Sequence, residues 1–136
     1  MLPEPQVATD DVTVLDDALL WRRVHEDFWE RVEGGWRISS SAFDNSSDGS
    51  GMSVHLEAVA VAEGVLLERL LPEPQEQYGV VVLTPACVRT NRQIIVREPE
   101  PDDPTHAEVI GSKPTKVRKR LRDGASVLRV PPRLTG

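Results

Sequence analysis

The sequence predicts a single α+β domain built on a mixed or antiparallel sheet of about five to seven strands with two main helices. The chain has 136 residues, a length that suits one domain. Short segments in which apolar and polar residues alternate recur along it, and residues 52–58 show the clearest alternation. Residues 59–71 and 112–124 have helical spacing instead. The combination of both periods within one domain predicts the mixed class.

Charge and proline content divide the chain into three parts. Residues 1–18 carry five acidic side chains and no basic one, which predicts an acidic, flexible N-terminal tail. Residues 19–128 contain the periodic segments and form the predicted domain. Residues 129–136 contain two prolines and two arginines and are expected to be a loose C-terminal tail.

The first half of the predicted domain consists of strands around a hairpin. Residues 19–24 form a first strand, and residues 28–38 form a hairpin around Gly34-Gly35, because glycine tolerates the positive φ of a tight turn. A polar loop covers residues 39–51. In the strand that follows, Ser53 and His55 share the polar side.

The second half combines helices and strands. The apolar positions of residues 59–71 form one stripe of a helix, which two prolines end. The unbroken apolar run 79–83 predicts a central strand that is buried on both faces. Strands at 93–97 and 106–110 flank an exposed loop rich in proline and acidic residues.

The last predicted helix extends from a Ser112 cap to Gly124 and is strongly basic. Its candidate partner-binding residues share a long cationic side chain: Lys116, Arg118, Lys119, Arg120 and Arg122. Such a cluster contacts an acidic partner, forms a solvated helix face or pairs with the acidic tail. The tryptophans lie far from it in the first strands, which disfavours a stacking platform for nucleic acid.

Composition excludes several classes of protein. The formal net charge of -6 argues against wholesale binding to nucleic acid or to an anionic membrane. Cys87 is the only cysteine, which excludes an intrachain disulfide and a Cys-rich zinc site. The chain shows no secretion signal and no apolar run of about 18 residues, so a cytoplasmic protein without a membrane partner is expected.

The block from Arg37 to Ser41 is the most informative polar feature, because packing does not require three hydroxyls beside an arginine. The candidate ligand-binding residues share polar groups that form hydrogen bonds: Arg37, Ser39, Ser40, Ser41, Ser53 and His55. An arginine fork with hydroxyls and loop amides suits a phosphate or carboxylate. The same hydroxyls also satisfy the backbone of a turn, so the sequence leaves a recognition pocket and a serine-rich turn both open.

The candidate chemical groups are the histidines and the cysteine: His25, His55, His106 and Cys87. Their spacing matches no standard metal-binding pattern, so neither a metal nor a cofactor is predicted. His55 is the best catalytic candidate because it projects beside Ser53. Residues two apart on a strand lie about 7 Å from each other, however, which is too far for a triad within that strand. Catalytic residues stay unassigned, and binding is favoured over catalysis.

Five short motifs are distributed over residues 19–122: Trp21-Arg22-Arg23, 37–43, 48–54, 101–107 and Gly111 with Lys113. This series resembles a family of small, uncharacterised bacterial proteins with an Arg-x-Ser-Ser-x-Ala-Phe block followed by Asp-Gly-Ser-x-Met-Ser-Val. Ile38 stands where that family has proline. The resemblance implies a bacterial origin and a shared pocket, and it implies no particular activity.

A second resemblance concerns the order arginine, serines, glutamate. Arg22 or Arg23, the serines of 39–41 and Glu57 follow an order that is similar to that of ADP-ribosyltransferase-like folds. In those folds an arginine grips the dinucleotide, the serine segment shapes the cleft and the glutamate orients the ribose. Glu57 comes earlier in the chain than that pattern has it.

Three functions follow from these patterns. The first is a small bacterial accessory protein that recognises a protein partner or a small anionic ligand through the Ser/Arg-rich site. One alternative is an ADP-ribosyltransferase-like nucleotide-binding enzyme, complete or degraded. The other is a partner protein of a toxin or defence system.

Overall fold

The computed structural model describes residues 8–135; residues 1–7 of the predicted tail and Gly136 lie outside this part. The strands are β1 Leu20–His25, β2 Trp29–Val32, β3 Gly35–Ile38, β4 Met52–Leu56, β5 Tyr78–Leu83, β6 Ile94–Arg97, β7 His106–Ile110 and β8 Ser126–Arg129. The helices are α1 Glu57–Glu63, α2 Pro85–Thr90, α3 Thr115–Gly124 and α4 Pro132–Thr135. Short 3₁₀ helices lie at Glu26–Phe28, Ser40–Phe43, Leu67–Leu70 and Gln75–Gln77.

Six of the strands form one sheet in the order β6-β7-β4-β1-β5-β8, and β2 with β3 forms a separate hairpin. All neighbouring strands are antiparallel. The longest ladder joins β1 to β5 over six residue pairs, from Leu20 with Leu83 to His25 with Tyr78. The predicted α+β class is confirmed, and the sheet is antiparallel throughout.

The main core lies on the face of the sheet that carries α2 and α3. Leu20 and Val24 of β1 point into this core because every second strand residue faces the same side. Val88 of α2 and Leu121 of α3 are fully buried against it. Phe43, from the 3₁₀ helix that follows β3, is also fully buried there. Both helices and the hairpin region therefore cover one face of the sheet.

The opposite face of the sheet is covered by a smaller apolar cluster. Trp21 of β1 and Val80 of β5 pack there with Ala60, Leu70 and Leu71. The cover comes from α1 and the 3₁₀ helix that follows it, and it lies over β1 and β5. Toward β4 and β7 the same face carries polar side chains, so part of it is open to solvent.

The predicted helix over 59–71 is divided into two pieces in the structure. Gly64 has a φ of 68°, and its N–H bonds to the carbonyls of Ala60 and Val61, which ends α1. A separate 3₁₀ helix, Leu67–Leu70, follows. The last long helix also differs from prediction, since α3 begins after Pro114 without a side-chain cap and Ser112 does not cap it.

Both predicted tails pack on the domain over their described residues. Asp10 and Asp16 bind the guanidinium of Arg89 on α2, at 3.2 and 2.7 Å, and Val14 is buried. The acidic segment therefore pairs with α2 and not with the basic α3. At the other end, Arg129 pairs with Val80 as the last residue of the edge strand β8, and Leu134 of α4 packs against the main core. Long-range contacts order both segments, which a local pattern does not reveal.

Gly79 lies where β5 passes closest to its neighbours. An added Cβ would overlap the buried ring of Trp29 and lie 2.5 Å from the carbonyl oxygen of Arg129. We expect Gly79→Ala to lower the free energy of unfolding by about 1–3 kcal/mol, because the added methyl group forces the buried indole or the β8 backbone to move. Urea denaturation followed by tryptophan fluorescence measures the loss.

The matched control is Gly34→Asn in the β2–β3 turn. Gly34 has a φ of 85° and open space around it, a conformation that asparagine tolerates. This variant should stay within about 0.5 kcal/mol of wild type. Equal losses in the two variants would contradict the role of close packing at Gly79.

Candidate functional site

The candidate site begins where β1 and β4 cease to pair. Their ladder holds two residue pairs and ends at Trp21 and His55. Beyond that point the Arg22 side chain links β1 to β4 and to the 3₁₀ helix after β3. Its Nη1 donates to the Ser53 carbonyl at 2.9 Å, and its Nε and Nη2 donate to the Ala42 carbonyl at 3.2 and 2.8 Å. Burial lowers the pKa of this guanidinium to about 10, and it remains charged at neutral pH.

A cavity of about 390 Å³ lies on the other face of the sheet at this place. Arg23 reaches it because successive strand residues point to opposite faces. We call it the open-face cavity. Its lining residues are polar with one exception: Arg23, Ser53, His55, Arg69, Leu70, Glu100, Asp102, Asp103 and His106.

The open-face cavity has a cationic wall. Arg23 Nη1 donates to the Leu70 carbonyl at 2.6 Å, which holds this half-buried guanidinium in place. Desolvation lowers the pKa of Arg23. Arg69 is exposed, and its guanidinium makes no hydrogen bond or ion pair within residues 8–135, although its backbone N–H donates to the Leu66 carbonyl. Arg69 is therefore free to meet a ligand.

The acidic wall of the cavity comes from the loop between β6 and β7. The carboxylates of Glu100, Asp102 and Asp103 line the cavity from this loop. Asp103 is held by Thr105, whose backbone N–H and hydroxyl donate to Oδ1 at 3.0 and 2.5 Å. The lining of the cavity thus combines cationic and acidic side chains.

His106 and Ser53 form a hydrogen-bonded pair on the cavity floor. His106 Nε2 lies 2.9 Å from Ser53 Oγ, and His106 Nδ1 lies 2.9 Å from the Glu98 carbonyl oxygen. A carbonyl oxygen only accepts, so in the neutral ring Nδ1 carries the hydrogen. The Nε2 lone pair then accepts the hydrogen of the Ser53 hydroxyl. This is the tautomer that a general base at Nε2 requires.

His55 lies beside this pair and is almost completely buried, with 2 % of its side chain exposed. Its Nδ1 is 3.0 Å from Asp103 Oδ2 and 3.0 Å from Thr105 Oγ1. Because the carboxylate only accepts, Nδ1 carries a hydrogen. The buried Nε2 has no partner among the described residues, and neither does Nε1 of Trp21, its neighbour across the ladder.

The Arg37 part of the predicted pocket lies away from this cavity. Arg37, on β3, has 56 % of its side chain exposed and pairs with Glu30 of β2 at 2.9 Å. The hairpin that carries it packs on the main-core side of the sheet. The structure therefore separates Arg37 from Ser53 and His55, which face the opposite side.

The serine block also lies on the main-core side. Ser39 Oγ accepts from the Ser41 backbone N–H at 3.4 Å and bonds with the Ser41 hydroxyl at 2.8 Å. Ser40 is the first residue of the 3₁₀ helix that this contact caps. The hydroxyls of Ser39 and Ser41 serve the local turn, which was one of the two interpretations left open by the sequence.

The residues of the ADP-ribosyltransferase-like order are not brought together. Arg22 binds backbone carbonyls on the core side, and Arg23 lines the open-face cavity. Glu57 is the first residue of α1 and does not line that cavity. The serines of 39–41 lie across the sheet from Arg23. Of the residues predicted for the ADP-ribosyltransferase-like alternative, only Arg23 lines the open-face cavity.

The basic residues of α3 have two kinds of surroundings. Arg118 pairs with Asp44 at 3.2 Å, and Arg122 pairs with Asp123 at 3.2 Å. Lys116, Lys119 and Arg120 are exposed and have no ion pair within the described chain. These three remain predicted contacts for an acidic partner.

Cys87 and His25 have surroundings typical of residues that stabilise the fold. Burial raises the pKa of the Cys87 thiol, which favours its less reactive protonated form. His25 Nδ1 accepts from the Asp27 backbone N–H and caps a 3₁₀ helix, while Nε2 lies 3.3 Å from Gln77 Oε1. Neither side chain lines the open-face cavity.

Two further findings concern metals and membranes. Within residues 8–135 no group of three or more His, Cys, Asp and Glu side chains is placed to hold a metal ion. In the same part of the chain, no helix combines the length and apolar character needed to cross a bilayer.

Sequence reasoning missed several residues of the site, namely Arg69, Glu100, Asp102 and Asp103, and it did not pair His106 with Ser53. The acidic loop before β7 was recognised as exposed, and its position just ahead of His106 was the available signal. What was missing is the register, in which His55 of β4 lies directly opposite His106 of β7.

Comparisons of the chain with models of protein families, with curated proteins and with solved structures found no match. Function is therefore inferred from the chemistry of the cavity.

Arg22→Ala tests the link between β1 and β4. We expect a loss of about 2–4 kcal/mol in the free energy of unfolding, because the carbonyls of Ala42 and Ser53 lose charged donors. Arg120→Ala removes an exposed arginine and is the control, with an expected change within about 0.5 kcal/mol. Chemical denaturation measures the free energy of unfolding of both variants. Similar losses in the two would argue against a stabilising link through Arg22.

The buried His55 predicts a specific pH dependence. Burial and the nearby Arg23 cation lower its pKa to about 4, although the Asp103 carboxylate acts in the opposite direction. In the unfolded chain the pKa is about 6.5, so the unfolded state binds the proton first as pH falls. This contribution to stability is complete above about pH 6.5 and is lost progressively toward pH 4, on the order of 3 kcal/mol in total.

The measurement compares wild type with His55→Gln, which has no titrating ring. Carboxylates distant from residue 55 contribute equally to both proteins, so the difference between the two unfolding free energies reports His55 together with the Asp103 carboxylate that it contacts. That difference should fall between about pH 6.5 and 4 and be flat above it. A His55 ring titration by NMR with a midpoint near 7 would contradict the expected low pKa.

Proposed function

We propose that this protein binds a small polar molecule in the open-face cavity, with an anionic group against Arg69 and Arg23 and with hydroxyl or amino donors against the acidic wall. The observation that supports this most directly is the lining of the cavity, which combines two arginines with three carboxylates. The anionic ligand expected from the sequence is kept, and its site moves from the Arg37 block to the other face of the sheet.

The size of the cavity favours a small ligand. Its volume of about 390 Å³ is at the lower end of the range of about 300–1,000 Å³ that small-molecule sites occupy. A sugar phosphate or an amino-acid-like molecule suits this volume better than a dinucleotide does. The ADP-ribosyltransferase-like alternative is disfavoured for the same reason.

The charges of the walls narrow the ligand further. An arginine fork binds phosphate or carboxylate through paired N–H donors. Two arginines and three carboxylates line the cavity, so a molecule that carries only negative groups would be repelled by the acidic wall. A ligand with one anionic end and several hydroxyl or amino donors matches both walls.

Arg23 and Arg69 differ in how firmly their side chains are held before a ligand binds. Arg23 is already held by the Leu70 carbonyl, so it loses little freedom when a ligand arrives. Arg69 is exposed and makes its contact on binding. Removing Arg69 therefore tests the ligand site without disturbing a contact of the folded chain.

The test uses inorganic phosphate and ribose 5-phosphate as probes. We expect ribose 5-phosphate at millimolar concentration to raise the melting temperature more than phosphate does, because it also offers hydroxyl donors to the acidic wall. In Arg69→Glu the affinity should fall at least about tenfold. Amide NMR shifts on adding the probe should include Arg69 and His106.

Arg37→Ala is the matched control, since Arg37 is also an exposed arginine and lies on the other side of the sheet. It should bind the probe as wild type does. Loss of binding in Arg37→Ala with normal binding in Arg69→Glu would return the site to the serine block. Absence of any stabilisation by either probe would refute the proposed cavity ligand.

A further inference from the structure

The floor of the open-face cavity holds a pair of groups that binding alone does not require. Ser53 Oγ and His106 Nε2 are 2.9 Å apart and lie on neighbouring strands. In the register of β4 and β7, Ser53 is opposite Glu108 and His55 is opposite His106. Ser53 and His106 are thus diagonal neighbours on one face, a distance that a histidine side chain spans.

The second ring nitrogen of His106 is also held. Nδ1 donates to the Glu98 carbonyl at 2.9 Å, and Glu100 Oε1 lies 3.6 Å from the same atom. A nucleophilic hydroxyl is activated when it donates to a histidine whose other ring nitrogen is held by an acceptor, and Ser53 with His106 has this arrangement. The order here is Ser53, His106 and the Glu98 carbonyl with Glu100 beside it.

The surroundings of the pair suit a reaction. Ser53 is half-buried and lines the cavity, so a ligand there meets its hydroxyl. Arg23 lines the same cavity and keeps N–H groups beyond the one that binds the Leu70 carbonyl. A fixed cation at this place stabilises negative charge that develops on an attacked oxygen.

We propose that Ser53 is a nucleophile and that His106 is its general base. The protein then hydrolyses a carboxylic ester of a small anionic molecule that binds in the open-face cavity. The substrate class rests on the proposed function above, whereas the nucleophile assignment rests on the geometry of the pair.

The reaction balances with water as the second substrate. The Ser53 hydroxyl proton passes to His106 Nε2 while Oγ forms a bond to the ester carbonyl carbon, and the negative charge on the carbonyl oxygen lies in the field of Arg23. The carbon–alkoxide bond then breaks, and His106 gives its proton to the leaving alcohol. Water, deprotonated by His106, attacks the acyl-serine, and the acid is released as Ser53 regains its proton.

The test is covalent labelling of the full chain with an alkyl fluorophosphonate. In that reaction Ser53 Oγ forms a bond to phosphorus, fluoride leaves and His106 takes the proton. We expect one adduct per chain by intact mass, mapped to Ser53 by peptide analysis. Ser53→Ala should abolish it, and His106→Ala should slow it at least about tenfold. Ser40→Ala is the control and should label as wild type does.

A second variant covers the case in which His106→Ala does not fold, which circular dichroism reveals. Ser53→Cys places a thiol beside the same base. This thiol should react with iodoacetamide at least about tenfold faster than native Cys87, whose pKa is raised by burial. Equal reactivity of the two thiols would overturn the activation by His106.

The ribose 5-phosphate assay is run on the same samples so that the two proposals are judged separately. Binding of ribose 5-phosphate without any Ser53 adduct would overturn the nucleophile and leave the ligand site in place. An adduct on Ser53 without binding would support the nucleophile and overturn the ligand class. An adduct on another serine would overturn the assignment of Ser53.

Discussion

The buried guanidinium of Arg22 is the interaction on which the site depends. It takes over where the β1–β4 ladder ends, binding the Ser53 carbonyl of β4 and the Ala42 carbonyl of the 3₁₀ helix behind β3. Charged hydrogen bonds are stronger than the neutral ones of a ladder, so two strands are held together without a full set of backbone pairs. On the opposite face of the sheet, Arg23 and Ser53 line the open-face cavity.

Successive side chains of a strand point to opposite faces of the sheet, so Arg22 and Arg23 have different surroundings. Arg22 faces the core side and organises the chain, while Arg23 faces the cavity. Motifs that lie far apart in the sequence meet on these two faces. On the core side the Lys113 ammonium bonds to Asn45 and to the carbonyls of Val109 and Gly111, and burial lowers its pKa to about 8.

The local patterns were sufficient for most of the sheet and insufficient for its margins. Strands β4 and β5 and the β2–β3 hairpin follow from alternation, an apolar run and paired glycines, because those signals lie within each segment. Strand β8 and the packing of Asp10 on Arg89 do not, because they depend on partners far away in the chain. Gly64 lies within the predicted 59–71 helix, and the structure shows that it ends α1 there.

The sequence by itself determined the α+β class, most of the strands and the presence of Ser53 and His55 on one polar strand face. The tertiary structure alone decided which polar residues meet. Strand order and register place His106 beside Ser53, and the hairpin carries Arg37 to the other side of the sheet. The physical reason is that an antiparallel register is set by burial of one whole face of the sheet, so a polar pair across two strands has no local signal.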